Sequence, residues 1–287
     1  FTLPNGLRVV VHTDRKAPVV AVSVWYHVGS KDEPLGKTGF AHLFEHLMYY
    51  GSENHDALFF EPLESIGATD ANGSTWFDRT NYYETVPTSA LDLALFLESD
   101  RMGHLLGAVT QAKLDAQRSV VQNEKRQGDN APYGLADYAI LEGLFPAGHP
   151  YRHDTIGSMA DLNAASVADV HAWLVAQYFG DMPPGPTPAR FDAPVPRPTG
   201  IKRETMYDAV GNARINRAFA VPGRADAVTP LLDVAATIIA GGSSSRAYNE
   251  LVRRDQLAVG VSGGVQAFEK VSLLEFQIDV KPGVDPA

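Results

Sequence analysis

"GFAHLFEHLMYYGSENHD", residues 39–56, places His42, Glu45 and His46 within five consecutive positions of an otherwise apolar run. On a helix, positions i and i+4 lie one above the other on the same face. His42 and His46 can therefore aim both imidazoles at one ion, while Glu45 projects slightly aside, within reach of a water molecule there. The pattern is H-x-x-E-H, the reverse order of H-E-x-x-H. Phe40, Leu43, Phe44, Leu47 and Met48 surround these groups. Burying imidazoles and a carboxylate costs several kcal/mol unless something compensates them, and a divalent cation does so. Zinc in such a site lowers the pKa of a bound water from about 15.7 to about 7 and polarises a scissile carbonyl, with Glu45 as the general base. Two histidines leave the metal one protein ligand short.

The totals narrow what can supply it. The 287 residues contain no cysteine, so thiolate ligands, thiol nucleophiles and disulfides are excluded, and the third ligand is Asp, Glu or His. A formal charge of -10 argues against nucleic-acid or anionic-membrane partners, although a carboxylate-lined cavity favouring basic peptides stays open. The longest strongly apolar stretch, "LLDVAATIIA" (231–240), is too short to span a bilayer. Hydrophobic residues at 45% and charged residues at 20% describe an ordinary globular chain. The first residue is Phe rather than Met, which reads as something upstream removed or left out.

The coarse element reading is α+β. "FTLPNGLRVVVHTD" (1–14) is predicted as a hairpin about Asn5-Gly6, and residues 18–29 as a strand. A helix carries the opening stretch, and another spans 57–68, weakened by Pro62. Strands follow at 68–77 and 80–87, then helices at 89–106, 110–127, 134–144 and 166–179. Residues 181–200 hold seven prolines and read as a semi-extended linker. Beyond it, strands are expected at 201–209, 214–221, 257–266 and 271–280, and helices at 229–240 and 244–254. The division expected is a domain over 1–180, the linker, and a second α+β domain over 201–287, with helices on largely antiparallel sheets. "GGSSS" (241–245) lacks the lysine and strand context of a phosphate cradle and reads as a helix start capped by serine.

Glu124, in "VVQNEKRQ", is the best candidate for the missing ligand, since Val120 and Val121 suggest an inward face. By spacing alone an ordinary solvated glutamate is the better reading. "HPYRH" (149–153) also pairs two histidines at i, i+4, but Gly148 and Pro150 argue against a helix. His12, His27, His55, His104 and His171 have no partner in sequence.

"HLFEHLMYYGSENHD", followed about 78 residues later by "QRSVVQNEKRQ", resembles the pitrilysin/insulinase family of zinc metallopeptidases, which includes mitochondrial processing peptidase. The resemblance implies one zinc ion held by His42, His46 and Glu124, with Glu45 as the base. "ATDANGSTWFDRTNYYETVP" (68–87) resembles the family's strand pair beside the zinc, where a peptide adds as an extra strand. That makes Asn72, Gly73, Ser74 and Thr75 the expected lip of a substrate site, although a plain hairpin would look the same. The implied fold is two related subdomains forming one half of a clamshell peptidase. The implied activity is a zinc endopeptidase acting on short or unfolded peptides, working with a second homologous half. Two departures stand against the family pattern. Gln117 occupies the place, seven residues before Glu124, where many relatives carry an assisting glutamate. "VHAWLVAQYFGDMPPGP" runs straight through where relatives insert a further strand and helix, and the chain stops at "KPGVDPA", so it reads as one incomplete half. A non-catalytic half keeping zinc for stability is the alternative. By resemblance to bacterial members, a periplasmic or secreted location is expected.

Overall fold

The computed structural model describes residues 1–177 and 193–286. Its architecture is α+β: two three-stranded antiparallel sheets, each packed with helices. The elements are β1 Val19–Tyr26, α1 Phe40–Leu47, α2 Phe60–Ser65, β2 Thr69–Thr75, β3 Thr80–Pro87, α3 Leu91–His104, α4 Gln111–Asp129, α5 Ala136–Leu144, α6 Met159–Ala164 and α7 Val167–Gln177. After the undescribed residues come β4 Arg214–Pro222, α8 Thr229–Ala240, β5 Ala258–Gln266 and β6 Val271–Val280, with a π-helical stretch Tyr248–Arg254 between α8 and β5.

The described residues fall into two compact units, one of residues 1–126 and 154–177, the other of 127–153 and 193–286. In the first, the sheet order is β1-β3-β2, leaving β2 at an edge. β1 alternates exposed and half-buried positions along "VVAVSVWY", as a strand covered on one face must. The helical side holds two apolar clusters. Leu43, Phe44 and Leu47 of α1 meet Leu114 and Val121 of α4 and Val170 and Trp173 of α7. Phe59 and Leu63 meet Val86 of β3 and Ala94 and Leu97 of α3. Phe44 and Trp173 pack with ring centroids 5.5 Å apart. α1 is thus clamped on its apolar side, which fixes where its polar residues point.

In the second unit the order is β4-β6-β5, with α8 packed on β5 and β6. Residues 127–153, read above with the first domain, pack into this unit. The Arg214 guanidinium lies 3.7 Å from the centroid of the Tyr133 ring, and Tyr151 stacks on Phe268 at 5.4 Å. Aromatic side chains distant in sequence close this unit, and helix periodicity carries no sign of it.

Several local expectations change. The hairpin at 1–14 reduces to one bridge, Thr2 with Arg8, around a turn in which Leu7 N–H donates to Asn5 Oδ1. Val10 and Val11 stay exposed, so no apolar face holds a second strand there. Residues 201–209 form no strand and are exposed throughout. Helix α6, unforeseen, starts at Ser158, whose hydroxyl accepts from Asp161 N–H at 3.0 Å. The helix expected over 244–254 is π-helical from Tyr248, with Ser245 Oγ accepting from Tyr248 N–H. Of the proline-rich stretch, 193–200 is irregular and 181–192 lies outside the described residues. Among the described residues no helix is long and apolar enough to cross a membrane.

Candidate metal centre

Helix α1 begins at Gly39, whose φ of 90° is a left-handed conformation that costs glycine nothing. A Cβ there would also sit 2.7 Å from the Ile156 carbonyl oxygen. The first turn is capped from a distance. The buried Glu33 carboxylate accepts from Gly39 N–H at 2.9 Å and Ala41 N–H at 2.7 Å. A carboxylate at a helix N-terminus satisfies open backbone donors and complements the helix dipole. Burial nonetheless pushes the Glu33 pKa well up, with the two backbone hydrogen bonds opposing it. Nothing in the residue pattern marks Glu33, since it caps from outside the helix.

His42, Glu45 and His46 sit on the side of α1 that meets β2 and α4. The Nε2 atoms of His42 and His46 are 3.2 Å apart, and Glu124 Oε2 lies 3.6 Å from each. Among the described residues these three form the one His/Asp/Glu group gathered closely enough to hold an ion. Tetrahedral ligands at about 2.0–2.1 Å from a zinc ion stand about 3.3 Å apart. The observed triangle has that size, and two imidazole nitrogens with one carboxylate oxygen are a donor set zinc accepts in sites that keep an open position. His42 is pushed down to about 4, by burial first and then by His46, so its imidazole is neutral at physiological pH, the form that binds metal. Its Nδ1 is buried without a hydrogen-bond partner, so the ring is oriented by packing and by what its Nε2 binds. The Glu124 side chain stays 42% exposed, which leaves the group open to solvent on one side. The residues fit a zinc ion.

Glu124 lies on α4, where Leu114, Gln117 and Val121 form the buried face. Val121 points inward as expected, whereas Val120 is exposed. Gln117 is buried on that face two turns before Glu124.

Glu45 is buried, and its Oε2 accepts from Thr75 Oγ1 at 2.6 Å. Burial raises its pKa. The Thr75 hydrogen bond, His46 and Arg79 pull it down, and Glu124 pushes it up. A carboxyl raised above its ordinary value is the better proton acceptor, the direction a general base needs. Thr75 ends β2, so Asn72, Gly73, Ser74 and Thr75 run along the sheet edge up to the base. Gly73 is required there: a Cβ would collide with the Tyr49 hydroxyl. Arg79, which the motif reading passed over, donates from Nη1 to the Ser74 carbonyl and to Asn81 Oδ1, each at 2.7 Å, and lies over the Trp25 ring at 5.4 Å. It braces the end of the β2–β3 hairpin beside Glu45.

Of the other histidines, His149 stacks on Phe145 and its Nε2 lies 3.3 Å from the Pro194 carbonyl oxygen, a structural place.

An inverted histidine–glutamate helix, a glutamate brought to it from a second long helix and an antiparallel sheet edge beside them make a group that could hold a metal ion. The family model described as Insulinase (Peptidase family M16) matches residues 8–142, and the one described as Peptidase M16 inactive domain matches 165–287. The chain belongs to the insulinase/pitrilysin (M16) family. Among its relatives is a protein named zinc protease PqqE of Helicobacter pylori, 34% identical over 171 residues, which cover 59% of this chain and 38% of the relative. Another is an uncharacterized zinc protease of Mycobacterium leprae, 27% identical over 98% of this chain and 69% of its own length. Among solved structures, a protease from Helicobacter pylori superposes with a TM-score of 0.84 at 25% identity, over 99% of this chain and 75% of that one. Pitrilysin gives 0.69 at 17% identity, over 94% of this chain and 32% of its own, a likeness of fold. The chain therefore spans less than two-fifths of the first relative and about a third of pitrilysin.

Proposed function

We propose that this protein is a zinc-dependent endopeptidase that cleaves short or unfolded peptides. The observation that carries the reading is Glu45: a buried carboxylate beside the His42–His46–Glu124 triangle, oriented by Thr75. A metal kept only for stability has no use for a buried base beside it. When bound, a zinc ion supplies Lewis acidity, favouring attack by water on the peptide carbonyl. His42, His46 and Glu124 hold it. Glu45 takes a proton from the attacking water and passes it to the leaving amine nitrogen as the C–N bond breaks. The peptide main chain lies along Asn72–Thr75 as an added strand, which brings the bond to be cut beside Glu45. Gln117, lacking a charge, supports the helix face without adding to the field at the ligands.

The test is Glu45→Gln. Zinc content by metal analysis should stay at the wild-type level while peptide cleavage falls at least about a hundredfold. If zinc is kept and neither protein cleaves any peptide of a mixed library, the non-catalytic, zinc-stabilised half is the correct reading. That alternative draws on the match of 165–287 to the inactive-domain model.

We also infer a second homologous half, on the same protein or a separate subunit, closing over the peptide. The fraction of pitrilysin that this chain matches supports it. Residues 1–287 alone should be active only when assembled with a second half on size-exclusion chromatography, and full activity of these 287 residues as a strict monomer overturns it. A periplasmic or secreted location is in keeping with the periplasmic protease PqqL of Escherichia coli, a fold neighbour with a TM-score of 0.63. Cell fractionation decides it.

A further inference from the structure

A cleft of about 400 Å³ opens between α2 and the first half of β2. Its floor is apolar, made by the buried Leu63 and the half-buried Phe60, and its walls carry the carboxylates of Glu64 and Asp70. Among the described residues neither carboxylate is ion-paired. Asp70 takes only a hydrogen bond from the neighbouring Thr69 hydroxyl, at 3.3 Å. The β2–β3 register breaks between Thr69 and Asn72, and Asp70 there has a φ of 55°, uncommon for a residue other than glycine. A bulge of this kind takes residues out of the ladder and re-aims their side chains. Asn72 both lines the cleft and starts the edge stretch that ends at Thr75 against Glu45. Three residues of strand separate the two, about 10 Å.

We propose that this cleft receives a lysine or arginine side chain of the peptide, about two to four residues on the C-terminal side of the bond that is cut. The inference rests on the peptidase reading for its register. Both strand pairs of this sheet run antiparallel. A peptide added to β2 in the same sense passes Thr75 first and reaches Asn72 with its later residues. The aliphatic stem lies on Phe60 and Leu63, and the cation sits between Glu64 and Asp70, the division of contacts that long basic side chains favour. An acidic side chain at the same place meets two like charges and no cation among the lining residues. Exposed ion pairs are individually weak, so the selection is modest, about threefold to tenfold.

The experiment uses the full-length protein carrying Glu45→Gln, loaded with zinc, and fluorescent peptides identical except for Lys, norleucine or Glu at positions swept along the C-terminal side. Anisotropy should show the Lys peptide bound about threefold to tenfold more tightly than the Glu peptide at one of those positions. Adding Glu64→Gln with Asp70→Asn should bring the ratio below about twofold; asparagine tolerates the left-handed backbone at position 70. Glu61→Gln, on the same helix but outside the cleft, should leave the ratio unchanged, which separates the cleft from the general negative charge. A ratio near one, a ratio that survives the double substitution, or no measurable binding overturns the proposal. Preferential binding by a protein whose wild type cleaves nothing sinks the peptidase reading and leaves the cleft standing. Cleavage without preference does the reverse.

Discussion

Thr75 and Gly73 show how narrowly single residues set this site. Thr75 donates the one hydrogen bond described for the Glu45 carboxylate, so Thr75→Val should slow peptide cleavage about tenfold while zinc content stays constant. Steady-state kinetics alongside metal analysis check it; a loss of zinc would point to misfolding instead. Gly73→Ala introduces a methyl group where the Tyr49 hydroxyl lies, and such overpacking costs about 1–3 kcal/mol. Urea unfolding should record that loss, and Tyr49→Phe in the same protein should recover part of it, since the Tyr82 ring and the Asn81 carbonyl still crowd the methyl group at 3.0 and 3.1 Å. His42, Glu45 and His46 were legible because their chemistry is compressed into one helical turn. Glu33 and Arg79 were not, because each acts on a partner outside its own pattern.

At the level of elements, α1 owes its position to an apolar clamp and a remote cap. Glu33→Ala leaves the N–H groups of Gly39 and Ala41 without that acceptor, and loss of a helix cap costs about 0.5–2 kcal/mol. Because the same helix carries both histidines, zinc affinity should fall together with stability, readable by competition with a chelating dye. β3 and α3 enclose a second buried group: Glu84 beside Glu98 and Arg101, all nearly inaccessible to solvent. Arg101 pairs with Glu98, donating from Nε to Oε2 at 3.0 Å. Burial, then the Glu98 charge, raises Glu84 to about 8, with Arg101 opposing. Between the ordinary carboxylate value of 4.5 and about 8, the unfolded chain releases a proton that the folded chain keeps. Stability therefore falls as pH rises through that window and levels off above it. Glu84→Gln should flatten the slope and stabilise the protein at pH 8 by on the order of 1 kcal/mol or more, measured from urea midpoints at pH 5, 6.5 and 8.

For the whole molecule, zinc should act as a ligand of the folded state alone. At a free concentration a thousandfold above its Kd, it adds about 4 kcal/mol to stability. Chelation should lower the Tm by several degrees and zinc should restore it, whereas magnesium, which prefers an octahedral oxygen shell, should not. The expected α+β class with antiparallel sheets stands. The chain nevertheless partitions otherwise than along its length, since 127–153 pack with the second unit through Tyr133 and Tyr151. Helix periodicity reports which face is buried and not which neighbour buries it.

By itself the sequence determined the local chemistry: a helix with two imidazoles and a carboxylate on one side, strands with alternating faces, and the absence of any thiol. Those properties repeat over two to four residues and need only backbone geometry to be read. Tertiary structure decided the rest. It brought Glu124 within 3.6 Å of two histidines 78 and 82 positions earlier, and set Thr75 against Glu45. It also opened a carboxylate-walled cleft between α2 and β2. Each of these joins residues on different elements, and the long-range packing that joins them leaves no periodic trace in the chain.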